Sequence, residues 1–523
     1  MNQIELKDAP YETWRVSKPA VSGANGVVVA QEIEAATVGG KIIEEGGNAV
    51  DGAIATAFAL SVTEPWMSGL GGGGFMIVYL AAEEKVQVVD FGMIAPQSLD
   101  PEEYPLTGRS GADLFGWPEV AGDANFHGPK SIAVPGSVAG YGLAVDKFCN
   151  KRWEELISPA VSLAERGHRK TWWTTLNVAV EAKLLARYPQ SKLDWLPEGF
   201  VPSVTSNNEH TYLKLDKLAN TLKLLRENGP NYFYEGDFAQ KLAMDVQIAG
   251  GKLSEKDLKD YSARILDPIT VARGDMIYNL APGLTAGPTF VDALERIPYF
   301  NSKAPSADSH ALIARALIDS YRNRFETMGF AGDAGDRSCT TNISSVDGNG
   351  NMAIITTTLL SRFGSRFVAP TSGVLMNNGI NWFDPRPGRP NSIAAGKRPL
   401  SNMCPMIATR SGKAIFGLGA SGGRKIMPAV FQLASCLNDF NMNLETALKQ
   451  PRFDVSGINK IVFDPRFDAS IKAALEDVSI AEPWPPTAFP SMYAVPSGVQ
   501  ISDAGDLSGA AHIHSPLAGA VGI

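Results

Sequence analysis

Ser338-Cys339-Thr340-Thr341-Asn342-Ile343-Ser344-Ser345-Val346-Asp347 is the stretch on which the reading of this chain turns. A threonine inside a chain is a weak nucleophile, because no base stands beside its hydroxyl. Cutting the Cys339-Thr340 bond would change that: the freed α-amine of Thr340 sits on the same residue as the hydroxyl and can act as its base. The plainer reading of a Thr-Thr pair is a piece of β-strand, since β-branched residues favour strands. Both readings are met if Thr340 opens a strand. The next residues fit that, with a turn at Asp347-Gly348-Asn349-Gly350 and a β-branched run at Met352-Ala353-Ile354-Ile355-Thr356-Thr357-Thr358.

Outward from this stretch, residues from about Ala30 to Glu45 and from Asn48 to Val62 have helical spacing, with Asn48 available as a cap. The glycine run at 71 to 74 breaks that pattern. Phe75 to Leu80 and Val86 to Phe91 then read as a strand pair. Segments 153 to 167 and 216 to 228 read as amphipathic helices, and Leu253 to Leu258 opens another with Ser254 as its cap. On the C-terminal side, Gly422-Gly423 lies between an apolar strand, Ala414-Ile415-Phe416, and a helical stretch from Lys425 to Leu437. Two glycines at such a junction let consecutive backbone N–H groups face a cleft, which suits an oxyanion, although a tight turn would also need them. Residues 384 to 390, Asp-Pro-Arg-Pro-Gly-Arg-Pro, cannot hold regular structure and are expected to form a surface loop serving as a lid. The tail from about Pro483 is rich in Pro, Gly, Ser and Ala, and no internal repeat is found.

Composition narrows the function classes. The 523 residues carry a net charge of −8, 44% apolar and 20% charged residues, an ordinary soluble balance with no basic patch for nucleic acid. No run approaches the roughly 18 apolar residues of a membrane span, and Met1 to Asp8 lacks a basic start and apolar core, so no membrane partner and a cytoplasmic location are expected. Cys149, Cys339, Cys404 and Cys436 are scattered, which suggests free thiols. Of the histidines only His512-x-His514 lie close together, without carboxylates, so no metal is expected. Gly69 to Gly74 and Gly417 to Gly422 both fit G-x-G-x-x-G, but neither has the strand, helix and distant acidic residue of a dinucleotide site. No cofactor is expected.

Five separated segments carry a resemblance: Gly46-Gly47-Asn48-Ala49-Val50-Asp51, Glu64-Pro65-Trp66-Met67-Ser68-Gly69-Leu70-Gly71-Gly72-Gly73-Gly74-Phe75, the Thr340 stretch with Gly350-Asn351, Gly396-Lys397-Arg398-Pro399-Leu400-Ser401, and Gly419-Ala420-Ser421-Gly422-Gly423. In this order they resemble the γ-glutamyltranspeptidases, Ntn hydrolases that cleave themselves before such a threonine. The resemblance implies an α/β (α+β) chain folded as an αββα four-layer sandwich. A large subunit, 1–339, and a small subunit, 340–523, would jointly form one composite domain, cut at Cys339-Thr340. It also implies that Thr340 is the nucleophile, that Thr358 assists it, and that Gly422 and Gly423 hold the oxyanion. Ser401 would line the substrate pocket, with Asn402 standing where these enzymes have a second serine.

Four donor-binding positions depart from the family. An arginine falls at Gly92, and an Asn, a Gln and an Asp fall at Leu360, Gly379 and Trp382. Charged hydrogen bonds are worth roughly 1.5–3 kcal/mol each. Loss of the arginine and aspartate contacts would then cost on the order of 10²–10⁴ in discrimination for a glutamyl head group. Arg362 and Arg366, near Thr358, and Arg386 and Arg389, in the proline loop, are candidate carboxylate ligands, against the plainer reading of surface or salt-bridge arginines. Trp382 could instead stack on an apolar acyl group, as in a cephalosporin-acylase-like member. The expected function is a self-processing threonine amidohydrolase acting on a small carboxylate-bearing amide other than a standard γ-glutamyl donor. A γ-glutamyltransferase or glutathione hydrolase with a different pocket, and an unprocessed binding protein, remain the alternatives. Pairing of heterodimers is left open.

Overall fold

Alternation along the strands sets the architecture. Successive strand residues face opposite ways, and here they feed two different cores. Val28 and Ala30, Met76 and Val78, Ile343, and Ala353 and Ile355 enter one apolar cluster together with helical residues. Their strand neighbours Val27 and Val29, Phe75, Ile77 and Tyr79, Val346, and Met352 and Ile354 enter a second cluster. Ile407, Ala414 and Val499 reach that second cluster from the opposite side, while Met406, Ala408, Phe416 and Leu418 turn outward into a third. Three apolar layers between four layers of elements make an αββα sandwich.

The computed structural model describes residues 17–111, 117–204, 209–328, 339–484, 493–513 and 515–523, with Cys339 by its backbone only. The expected N-terminal segment Met1 to Asp8, His514 and the residues just before Cys339 lie outside the described residues. One seven-stranded antiparallel sheet runs, in spatial order, 519–522, 26–30, 339–347, 352–360, 73–80, 85–91 and 264–266. The other runs 21–23, 507–511, 495–501, 413–421, 406–410, 276–280 and 269–273. Helices Ile33–Glu44 and Ala49–Thr63 cover the first sheet, with Trp153–Arg166 packed on Ala49–Thr63; Gly287–Glu295 and Ile426–Asn438 cover the second, with Ala307–Thr327 packed on Gly287–Glu295.

Strands from both sides of Thr340 intermingle in the first sheet. Ser344 to Asp347 pair with Val29 to Gly26, and Met352 to Thr358 pair with Tyr79 to Gly73. A cut at Cys339-Thr340 would therefore leave two pieces woven into one sheet. Two of the quoted motifs have their explanation here. Asn48 caps Ala49–Thr63, and its box partner Asp51 also holds the backbone N–H groups of Asn150 and Lys151. Asp347 closes the 347–351 turn and accepts from Ala49 N at 2.9 Å, joining the threonine strand to the start of that helix.

Most expected elements appear at Ile33–Glu44, Ala49–Thr63, Gly73–Leu80, Lys85–Phe91, Trp153–Arg166, Asp216–Asn228 and Met352–Leu360. Three differ. The strand expected from Phe75 already starts at Gly73, so Gly73 and Gly74 belong to it; the neighbouring strand lies so close that a Cβ at Gly74 would stand 2.3 Å from Thr356 O. The Ser254-capped helix is only Glu255–Lys259. The glycine-rich tail holds strands Val495–Ile501, Leu507–Ala511 and Gly519–Gly522, and the last pairs with Gly26–Ala30. The second half of the 384–390 loop, 387–390, is on the surface, whereas Asp384 is buried and paired with Arg386 at 2.7 Å.

Candidate active site

Thr340 and Thr341 are adjacent on the strand Cys339–Asp347 and so point to opposite faces. The register slips here: Cys339 stands opposite Leu360 and Thr341 opposite Thr357, leaving Thr358 and Leu359 across from Thr340. Such bulges re-aim side chains. The result is that the Thr340 and Thr358 hydroxyls meet at 3.4 Å, both buried between the sheets. Leu360 has φ +83°, a costly conformation for a leucine. It turns its N–H back to donate to Thr358 Oγ1 at 2.8 Å, which fixes that hydroxyl beside Thr340.

Thr341 faces the helical layer. Its hydroxyl donates to Glu64 Oε2 at 2.8 Å and contacts Gln31 Oε1 at 3.3 Å. The amide of Gln31 donates in turn to Ser421 Oγ, so a side-chain bridge ties the start of the threonine strand to the residue before Gly422. Burial raises the Glu64 carboxyl to about 8, against the opposing hydrogen bond from Thr341 and with help from Glu32. Burial likewise raises Glu32 to about 7. Glu64 is therefore mostly a neutral acid near pH 7, consistent with its enclosed position.

Gly422 has φ +136°, and a Cβ there would stand 2.8 Å from the Ala494 backbone; Gly423 has φ +56°. The strand Lys413–Ser421 ends at these glycines and Ile426–Asn438 begins three residues later, the strand-to-helix junction expected from the sequence. The second sheet thus brings the glycine turn to the end of the first sheet where Thr340 lies. Asn342, two residues on, bonds Ser497 of the second sheet at 2.9 Å.

A cavity of about 350 Å³ gathers Gly92, Trp382 and Ser401, three positions singled out in the sequence. Ser401 is held by its neighbours: its carbonyl accepts from the buried guanidinium of Arg324 at 2.6 Å, and Asn402 Oδ1 meets the same nitrogen at 3.4 Å. Asn402 therefore stands behind Ser401. The expected arginine ligands are placed otherwise. Arg366 is 1% exposed, pairs with Glu181 at 3.0 Å and lies 4.4 Å over the Phe126 ring, so the expectation of a substrate ligand gives way to a core ion pair. Arg362 is half-buried and does not line the cavity, and Arg386 turns back onto Asp384.

The charged groups that do line it escaped the sequence reading. Asp90 lies between Arg264, at 2.7 Å, and Arg398, at 3.2 Å. Both Asp90 and Arg398 belong to segments quoted above, and Glu64 to another, so the signal was present as an unexplained charge inside an otherwise explained motif. Gln31 and Arg324 carried none.

This sandwich is that of the Ntn hydrolases, enzymes that open amide bonds by acyl transfer. A cephalosporin acylase from Bacillus halodurans has the same fold, with a TM-score of 0.84 at 21% identity over 99% of both chains. The Gamma-glutamyltranspeptidase family pattern matches residues 35–336 and 307–495, and the chain belongs to the γ-glutamyltranspeptidase family. It is 31% identical to the Acylase ACY 1 proenzyme of Pseudomonas sp. (strain SE83), over 86% of this chain and 87% of that one. It is 29% identical to the glutathione hydrolase proenzyme of Bacillus subtilis (strain 168), over 87% and 85%.

Proposed function

We propose that the chain is a precursor that cuts itself at Cys339-Thr340 and then hydrolyses the amide bond of a small carboxylate-bearing molecule. The observation carrying this reading is the buried pairing of Thr340 with Thr358 at 3.4 Å, at a bulge beside the Gly422-Gly423 turn. In the cycle, the Thr340 hydroxyl attacks the amide carbonyl while the new α-amine takes its proton. The N–H groups of Gly422 and Gly423 receive the developing oxyanion. The amine then returns the proton to the leaving nitrogen, and water releases the acid from Thr340 by the same steps in reverse order.

The proenzyme relatives support self-processing into fragments 1–339 and 340–523. Gly92, Leu360, Gly379 and Trp382 argue against a standard γ-glutamyl donor, since none can pair with its charged head group. The intact mass of the purified protein under denaturing conditions tests the reading, beside Thr340→Ala. Two fragments meeting at Cys339-Thr340 in the parent and one uncut chain in the variant are expected. One uncut chain in both would overturn it and leave a binding protein.

A further inference from the structure

We infer that Arg398, held beside Arg264 by their shared partner Asp90, is the carboxylate-binding residue of this site, and that the site takes an amide with an anionic end and no ammonium group. The inference rests on the proposed amide hydrolysis for the position of the reacting bond, but not for the binding itself.

The geometry starts at Gly92. With no side chain there, Arg398 reaches in from the small-subunit side. Its Nη1 stands 3.4 Å from where a Cβ at position 92 would be, and donates to Gly92 O at 2.8 Å and to Asp90 Oδ1 at 3.2 Å. The other oxygen of Asp90 receives Arg264 Nε at 2.8 Å, and Gly92 N donates to Oδ1 at 2.9 Å. Asp90 is 2% exposed. Its lone pairs are taken, so it cannot also receive a substrate ammonium.

Among the described residues, the charged groups lining the cavity are Asp90, Arg264 and Arg398, two cations and one anion. The cavity therefore carries one surplus positive charge. Its remaining walls include Phe75, Met93, Leu266, Trp382 and Met403. An apolar body with one carboxylate fits both the charge and the lining, and arginine is suited to gripping a carboxylate. A zwitterionic head group would bring an ammonium into a site with no carboxylate left to meet it, and desolvating an unpaired charge is costly.

Position relative to Thr340 follows from the sheet. Arg264, Asp90, Phe75 and Thr356 stand opposite one another across four strands, and Thr358 is two residues beyond Thr356 on the same face. With strands about 4.8 Å apart and about 3.3 Å per residue, the Asp90 and Thr358 backbones are roughly 12 Å apart. A short acyl chain and two side chains span that distance. Met93 continues the wall inward, because its Cγ would lie 2.9 Å from a Cβ at Gly73, which pairs with Thr358.

Calorimetric titration with glutaranilic acid, its primary amide and γ-glutamyl anilide tests this on the parent, Arg398→Ala, Arg398→Lys and Arg264→Ala proteins. The parent should bind the carboxylate at least about tenfold more tightly than the neutral amide or the zwitterion, the scale of one charged hydrogen bond. Arg398→Ala should erase that preference while leaving neutral-amide binding within about twofold. Arg398→Lys should keep part of it, and Arg264→Ala, whose side chain is half exposed, should reduce it while preserving the fold. Equal binding of acid and amide by the parent, no binding of the acid at millimolar concentration, or an unchanged preference in a folded Arg398→Ala would each overturn the assignment. Where the protein cuts the anilides, the preference is read as the ratio of their KM values instead of by calorimetry. An uncut chain that still prefers the acid would sink the proposed hydrolysis and keep the subsite, and a cut, active enzyme with no preference would do the reverse.

Discussion

Two ends of the seam between the sheets contrast. At one end Thr340, Thr358, Gly422 and Gly423 are brought together with the residue types that the family resemblance led us to expect. At the other, Gly92, Trp382 and Ser401 line a cavity whose charge comes from Asp90, Arg264 and Arg398. On the proposed reading, the machinery for opening an amide and the grip on its substrate sit on separable parts of the fold. Acyl transfer needs hydroxyl, amine and N–H groups within a few tenths of an ångström, and so leaves few alternatives. A carboxylate can be met by any guanidinium that reaches the same volume, whichever strand or loop carries it.

The contrast is broken most completely at Thr340. Thr340→Ala removes nucleophile and base together. We expect an uncut chain and a loss of anilide turnover of about 10⁴–10⁶, the scale seen when an acyl-transfer nucleophile is deleted. Measurable cleavage in this variant would move the nucleophile elsewhere. The next largest effect is expected from Gly422→Ala. Its φ of +136° and the 2.8 Å approach to Ala494 would force the turn to shift, so an oxyanion donor is lost. We expect kcat to fall by roughly 10²–10³ with KM little changed. A rise in KM at unchanged kcat would place the glycine in substrate binding instead.

Arg366 sharpens the contrast from the other side, since by sequence it looked like part of the grip. Arg366→Ala leaves Glu181 buried without its partner, and breaking such a pair typically costs about 3–5 kcal/mol. Chemical denaturation should show that loss, while KM for a carboxylate substrate stays near the parent value in the protein that remains folded. A KM effect without a stability effect would return Arg366 to the substrate.

The proposed nucleophile and oxyanion turn were legible in the sequence because each is local: a threonine pair before a turn, and a glycine pair between strand and helix. The charged cluster at the cavity was not, because its members are distant. Arg264 meets Asp90 across 174 residues of sequence, and Arg398 meets it across 308. Reading by proximity selected Arg362 and Arg366, four and eight residues after Thr358, whereas the arginine that reaches the cavity enters from another segment. The tail strands were hidden for a related reason. Gly498, Gly509 and Gly519 carry little strand preference of their own, and they are strand residues because close neighbours leave no room for a side chain: a Cβ at Gly509 would stand 2.5 Å from Val27.

The smallest expected effect lies behind the nucleophile, on the Thr341 face, which belongs to neither end. Glu64 titrates near 4.5 when exposed and at about 8 in the folded protein, chiefly because it is buried. The stability it lends is complete below about pH 4.5 and is lost as pH rises through 8. Glu32 acts in the same direction but only up to about 7. His168, lowered to about 4 by burial, acts oppositely and only as pH falls below 6.5. Lys18, lowered to about 8 by burial, acts oppositely over the same unit and about offsets Glu32, so between pH 7 and 8 Glu64 sets the net change and the parent should lose about 1 kcal/mol, most of one proton's worth. Glu64→Gln keeps an amide beside Thr341 and cannot ionise, so its unfolding free energy should be nearly flat over that unit. The same slope in both proteins would mean that Glu64 is ionised in the fold, and that the Thr341–Gln31–Ser421 bridge is anchored by a carboxylate rather than by a neutral acid.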